Sequence, residues 1–109
     1  MGEFNYGDIV RGEFDDRLLA HLQTVIGAKL RRNEPFFFTW RSDRSGGSGR
    51  DSVWVHGGAS MVFTFRGSRP PQINRAWLEQ LLQSANSPSG LQIVPEPAES
   101  DEPSQPPVG

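Results

Sequence analysis

Three segments in the middle of the chain constrain the fold most, because their side chains alternate with a period of two. Residues 35–41, 52–56 and 61–66 are rich in aromatic and β-branched residues, which is typical of strands with two different faces. One face is apolar throughout and is large enough to receive helices. Its members are Phe36, Phe38, Trp40, Val53, Val55, Met61, Phe63 and Phe65.

Two amphipathic segments are predicted to be the helices that cover this apolar face. Residues 15–32 repeat leucine, valine and isoleucine at steps of three and four, with Asp15 placed as the N-cap and Asp16 in the first turn. Residues 75–86 carry a second apolar stripe and follow Asn74, a good N-cap residue. Both segments therefore read as helices with one buried side.

The order of elements predicts an α+β two-layer sandwich. Two short strands within residues 3–14 precede the first helix, and residues 91–94 are compatible with a final strand, which gives the order ββαβββα(β). The short gap at 57–60 and the glycine-rich gap at 43–51, which we expect to be mobile, predict an antiparallel meander. Segregated helices and strands then place both helices on one face of the sheet.

Charge and composition divide the chain into a domain, residues 1–94, and a tail, residues 95–109. The tail holds five of the nine prolines and four acidic residues, so we expect an acidic, disordered segment. Because the whole chain has a net charge of −2 and the tail contributes −4, the domain carries −2 − (−4) = +2. Ten of its eleven cations are arginines, whose planar guanidinium groups bind phosphate or carboxylate with two hydrogen bonds.

The second face of the predicted meander is the most informative candidate site. It places the aromatic side chains of Phe37 and Trp54 beside Arg41, Arg66 and His56. Exposed aromatic rings flanked by arginine form a platform on which unpaired bases stack. The same residues also suit three other roles: ordinary cross-strand packing, a homodimer surface, or burial under the N-terminal strands.

A second candidate is an anion site at the start of the second helix. Arg69 and Arg75 flank two prolines and Asn74 there, and helix N-termini attract anions. The alternative is that the prolines and Asn74 only fix where the helix starts.

Residues suited to catalysis are few, and we expect no enzyme, cofactor or metal site. His21 sits alone beside the first helical stripe, and helix capping explains the Asp15–Asp16 pair. The segment 46–50 is rich in glycine but lacks the Gly-Lys-Ser/Thr ending of a phosphate loop. His56 has no cysteine or third histidine with which to complete a zinc set.

The cellular location is predicted from features that the sequence does not contain. The chain has no cysteine, no signal-peptide pattern at residues 1–4 and no apolar run long enough to cross a membrane. These features predict a soluble, cytoplasmic protein that makes no membrane contact.

Several segments carry a resemblance: 14–17 (FDDR), 36–40 (FFFTW), 53–56 (VWVH), 67–77 (GSRPPQINRAW) and 85–91 (ANSPSGL). They are similar to those of a family of short actinobacterial proteins whose function is undefined, and the similarity covers about residues 1–97. Many members carry the label "ATP-dependent DNA ligase". Such ligases need a nucleophilic lysine in a Lys-x-Asp-Gly motif, whereas Lys29, the only lysine, precedes Leu-Arg-Arg. The resemblance therefore implies an association with DNA at most, and not ligation.

Together these observations predict a small non-enzymatic binding module that associates with single-stranded nucleic acid through its aromatic and arginine face. The alternative is a protein-interaction module, monomeric or homodimeric through that face. An enzyme would have only His21, Asp16 or Lys29 to act with. The acidic tail would compete with nucleic acid for the basic surface.

Overall fold

The computed structural model describes residues 1–42 and 49–98 and confirms the α+β class with the predicted order of elements. Most of the predicted glycine-rich gap, residues 43–48, and residues 99–109 of the predicted tail lie outside the described residues. The elements are β1 (Gly2–Tyr6), β2 (Val10–Phe14), α1 (Asp16–Arg31), β3 (Phe36–Ser42), β4 (Gly49–Val55), β5 (Met61–Thr64), α2 (Arg75–Ala85) and β6 (Leu91–Gln92).

The strands form two three-stranded sheets, and the predicted three-stranded meander is wrong in its last strand. The first sheet has the order β2-β1-β5 and is antiparallel, while the second has the order β4-β3-β6, with β6 parallel to β3. Strand β5 leaves β4 and pairs with β1, where the ring of Phe63 packs 5.1 Å from that of Phe4. Alternation shows which side of β5 is apolar, but not which strand it joins.

The predicted apolar face is the core of the domain. Its residues on β3 and β4 are buried, and those on and just after β5 are partly buried against the core. The two sheets meet through aromatic rings, with Phe4 of the first sheet 5.8 Å from Phe38 of the second and 6.0 Å from Trp40. Helix α1 packs against α2 and β1, and α2 packs against β6 and β3.

The ends of the helices show how local sequence sets the fold. Asn74 caps α2, because its side-chain oxygen accepts hydrogen bonds from the N–H groups of Ala76 and Trp77. Asp15 occupies the N-cap position of α1, but its side chain makes no capping hydrogen bond, so the predicted capping role of that carboxylate is wrong. No helix among the described residues combines the length and apolar character needed to cross a bilayer.

Ordered contacts continue past residue 94, where the sequence predicts the tail to begin. The indole N–H of Trp77 donates to the carbonyl of Val94 at 2.9 Å, and the side-chain amide of Asn74 donates to the carbonyl of Pro97 at 3.0 Å. The first residues of the predicted tail therefore lie along α2 as part of the folded unit.

Gly90 allows β6 to lie beside β3, and we expect Gly90→Ala to destabilise the fold. Its φ is +86°, and an added Cβ would stand 2.5 Å from the carbonyl oxygen of Phe37. Backbone strain and the clash should together lower the free energy of unfolding by about 2–4 kcal/mol, measured by urea denaturation.

The matched control is Gly27→Ala within α1, where an added Cβ meets nothing within 4 Å. This change should raise the free energy of unfolding by about 0.5–1 kcal/mol, since alanine favours helix over glycine. Equal stability of the two variants would contradict the tight approach at Gly90.

Candidate functional site

Phe37 and Trp54 form an exposed aromatic pair on the outer face of β3 and β4. They are direct cross-strand partners, with ring centroids 4.9 Å apart and ring planes at 65°. Each residue is 48% exposed, although aromatic rings usually bury most of their surface. Strand parity predicts this exposure, and the structure places both rings on the side away from the core.

The backbone under this pair is held from several directions. Phe38 and Val53, the next residues along each strand, point inward and are buried. Gly90 packs against the backbone of Phe37, and the hydroxyl of Tyr6 in the other sheet donates to the carbonyl of Trp54. The two rings therefore sit on a fixed support and not on a loop.

Two arginines face each other at the other end of the same strand pair. Arg41 is the cross-strand partner of Arg50, and both are exposed. Between them and the aromatic pair, the hydroxyls of Thr39 and Ser52 are hydrogen-bonded at 2.8 Å. Like charges in directly opposed positions are unfavourable, and neither arginine has an ion-pair partner within residues 1–42 and 49–98. An anion at this point would relieve the repulsion.

Arg66 does not belong to this face, so the prediction that groups it with Trp54 is wrong. It follows β5 in the first sheet, where its Nε donates to the carbonyl of Met1 at 3.0 Å and its Nη2 lies 3.5 Å from the carboxylate of Glu3. The reason is the pairing of β5 with β1. His56 lies just beyond β4 and is exposed, and its Nδ1 accepts a hydrogen bond from the N–H of Gly58.

At the start of α2, the structure places a carboxylate of the chain itself. The guanidinium of Arg17 holds Glu96 through Nε and Nη2, at 2.7–3.0 Å, and the amide of Asn74 adds a bond at 2.9 Å. These contacts, above all the bonds from Arg17, lower the pKa of Glu96 from 4.5 to about 2. Arg69 and Arg75, the predicted anion ligands, are exposed and are not among the groups that hold this carboxylate.

Sequence reasoning missed this cluster of Arg17, Asn74 and Glu96. The Pro-Glu-Pro context of Glu96 resembles the rest of the acidic tail, so composition alone hides its role. The available signal was Asn74, whose amide group has more hydrogen-bonding capacity than a helix cap uses.

His21 is a buried structural residue. Its Nδ1 is 2.7 Å from the carbonyl of Arg17 and must donate to it, and its Nε2 accepts from the N–H of Asn74 at 2.8 Å. Its ring also packs 4.6 Å from that of Trp77. Both ring nitrogens are therefore engaged with backbone groups, and neither faces a site.

The other two residues with catalytic potential are engaged as well. Lys29 is 8% exposed and donates to Glu34 at 3.1 Å and to Asn86 at 2.5 Å. Asp16 accepts hydrogen bonds from the N–H groups of Gly67 and Arg66, which lower the pKa of its carboxyl. These contacts fasten the ends of α1 to the rest of the fold. Nowhere in the described part of the chain do three or more histidine or acidic side chains come together as a metal site.

Comparison with known proteins identifies a family but no function. The family described as "Domain of unknown function (DUF7882)" matches residues 1–96. A search of curated proteins and a search of solved structures gave no match. The matched range ends at Glu96, the residue held by Arg17. The actinobacterial origin and the ligase label of the resemblance stay predictions.

The Glu96 ion pair should contribute to stability in a pH-dependent way. Because the pKa of Glu96 in the folded chain lies below its ordinary value, its contribution is complete above about pH 4.5 and is lost as the pH falls towards 2. Glu96→Gln should therefore lower Tm at pH 7, and the difference from the original chain should close between pH 4.5 and 2, as followed by circular dichroism.

Glu79→Gln is the matched control, since Glu79 is an exposed carboxylate on α2 with no ion-pair partner among the described residues. Its Tm should follow that of the original chain at every pH. A Glu96→Gln variant with unchanged Tm at pH 7 would show that the ion pair adds nothing.

Proposed function

Since the chain belongs to the DUF7882 family of domains of unknown function, we propose its role from its own geometry: a non-enzymatic module that binds single-stranded nucleic acid. The binding surface would be the aromatic–arginine face, defined as Phe37, Arg41, Arg50 and Trp54. The observation that carries the proposal is the exposed Phe37–Trp54 pair on the same rigid strand pair as two facing arginines.

The aromatic pair suits unpaired bases. A base that stacks on an exposed ring gains about 1–3 kcal/mol, whatever its identity. In a duplex the bases stack on each other and their faces are not available, so such a pair favours single strands. The rings meet edge to face, so they offer separate stacking surfaces and not one continuous plane.

The arginines suit the phosphates of the same strand. Four residues along a strand span about 13 Å, so Arg41 lies that far from Phe37 and is within reach of a neighbouring nucleotide. Two guanidinium groups with no ion-pair partner among residues 1–42 and 49–98 make this end of the face basic. With Glu96 counted as part of the folded unit, residues 1–96 carry 11 − 10 = +1. Both features favour a backbone that carries one negative charge per nucleotide.

The surroundings of the other polar residues support a binding role over an enzymatic one. His21, Lys29 and Asp16 all hold the fold together through the contacts described above. The chain offers no Lys-x-Asp-Gly motif for ligation. A role next to DNA or RNA would put the protein in the cytoplasm, which is the location that the sequence predicts.

A protein partner is the second candidate for the same surface. Aromatic side chains that are half exposed on a rigid support are typical anchors of protein interfaces. The two candidates differ in their response to salt, because only the nucleic-acid complex releases counterions from phosphates.

Trp54→Ala should weaken binding of a fluorescent single-stranded oligonucleotide by about 5- to 150-fold, the equivalent of one lost base stack. Fluorescence anisotropy at low salt measures this effect. The control is Val62→Ala, which removes another exposed apolar side chain, 52% exposed, from the other sheet and should leave affinity unchanged. A chain that binds no oligonucleotide at low salt would refute the proposal and favour the protein partner.

Arg41→Ala and Arg50→Ala should each reduce the salt dependence of binding. For single strands the slope of log K against log salt is about −0.7 per phosphate contact. The slope of each variant should therefore be less negative by about 0.7. Arg31→Ala is the control, because Arg31 is an exposed arginine at the end of α1. Equal losses of slope in all three variants would indicate non-specific charge attraction and no defined site.

A further inference from the structure

Strand β2 forms an open edge of the first sheet. Within residues 1–42 and 49–98 it pairs with β1 on one side only, because the sheet has the order β2-β1-β5. Its five residues, Val10–Phe14, contain no proline and are followed directly by α1. The backbone groups on its free side are a template for pairing with another strand.

The charges on β2 are arranged so that a second copy would complement them. Arg11 and Glu13 flank Gly12 and point to the same outer face, while Phe14 points inward. If two β2 strands pair antiparallel around Gly12, each Arg11 lies opposite Glu13 of the partner subunit. The strand thus carries opposite charges at the two positions that a two-fold axis exchanges.

The carboxylate of Glu13 lies opposite another carboxylate in the sheet. Its cross-strand neighbour on β1 is Glu3, another carboxylate. Glu3 already lies 3.7 Å from Arg11 and 3.5 Å from Arg66, whereas Glu13 has no ion-pair partner among residues 1–42 and 49–98. Directly opposed like charges are unfavourable, and Arg11 of the partner subunit would offset them.

A cleft of 960 Å³ borders β2 and extends across its sheet. It is lined by residues 10–13 of β2, by the tip of the β1–β2 hairpin, by Asn5 and Val62 on β1 and β5, and by residues 40–42 at the end of β3. Ile9 at that tip is almost fully exposed.

We propose that two copies of this chain associate through β2, antiparallel and centred on Gly12. The result is a continuous six-stranded sheet with the order β5-β1-β2 in one subunit, followed by β2-β1-β5 in the other. Two exchanged Arg11–Glu13 pairs fix the register. A contact through five-residue strands is small, so the dimer is expected in the class of weak, concentration-dependent interfaces.

Charge exchange tests the register directly by sedimentation velocity at low salt, between about 10 and about 500 μM, where weak interfaces associate. The original chain should shift from monomer to dimer mass as concentration rises. Arg11→Glu and Glu13→Arg should each be monomeric, because each places like charges opposite one another across the interface. An equimolar mixture of these two variants should dimerise, since every opposed pair is then of opposite sign.

Folding and surface controls keep the outcome decisive. Glu13→Arg places a cation opposite Glu3 within its own subunit, so its Tm should equal or exceed that of the original chain while its dimer is lost. Trp54→Ala should dimerise normally, because Trp54 lies on the other sheet. A chain that stays monomeric throughout the range, or a dimer that survives both charge changes, would overturn the proposal.

Discussion

The arrangement of the domain depends on the hydrogen bonds of one buried residue, Asn74. It is 1% exposed and uses its groups in three directions. Its backbone N–H binds His21 of α1, its side-chain oxygen caps α2, and its side-chain amide holds Glu96 and Pro97. A buried polar group without a partner is costly. The hydrogen bonds of Asn74 therefore hold α1, the start of α2 and residues 96–97 in fixed positions relative to one another.

The aromatic–arginine face inherits its rigidity from this arrangement. Helix α2 carries Ser84, which accepts a hydrogen bond from the N–H of Gln92 in β6, and Trp77, which donates to the carbonyl of Val94 just after β6. Strand β6 then pairs with β3 through Leu91 and Gln92, next to Phe37. Helix α2 therefore holds β6 in place, and β6 holds β3, the strand that presents Phe37. The support of the exposed rings depends in this way on the position of α2, which Asn74 caps.

The sequence predicts those features that depend on local periodicity. The apolar stripes of α1 and α2, the buried side of β3 and β4, and the exposure of Phe37 and Trp54 all follow from repeats of 3.6 or two residues. The sequence does not predict which of several distant segments a strand or a side chain contacts. The pairing of β5 with β1, which removes Arg66 from the face, and the capture of Glu96 by Arg17 both join residues more than fifty positions apart.

Because the sequence pattern does not predict these strand pairings, it also does not predict that the two candidate surfaces lie on different sheets. The aromatic–arginine face lies on the β4-β3-β6 sheet, and the β2 edge belongs to the other sheet. A dimer through β2 would therefore leave both copies of the face accessible. One nucleic-acid strand long enough to reach both would bind the second face as an intramolecular step, at an effective concentration set by the distance between them. Weak stacking on one pair of rings would then support tight binding, without any contact beyond those that each subunit already offers.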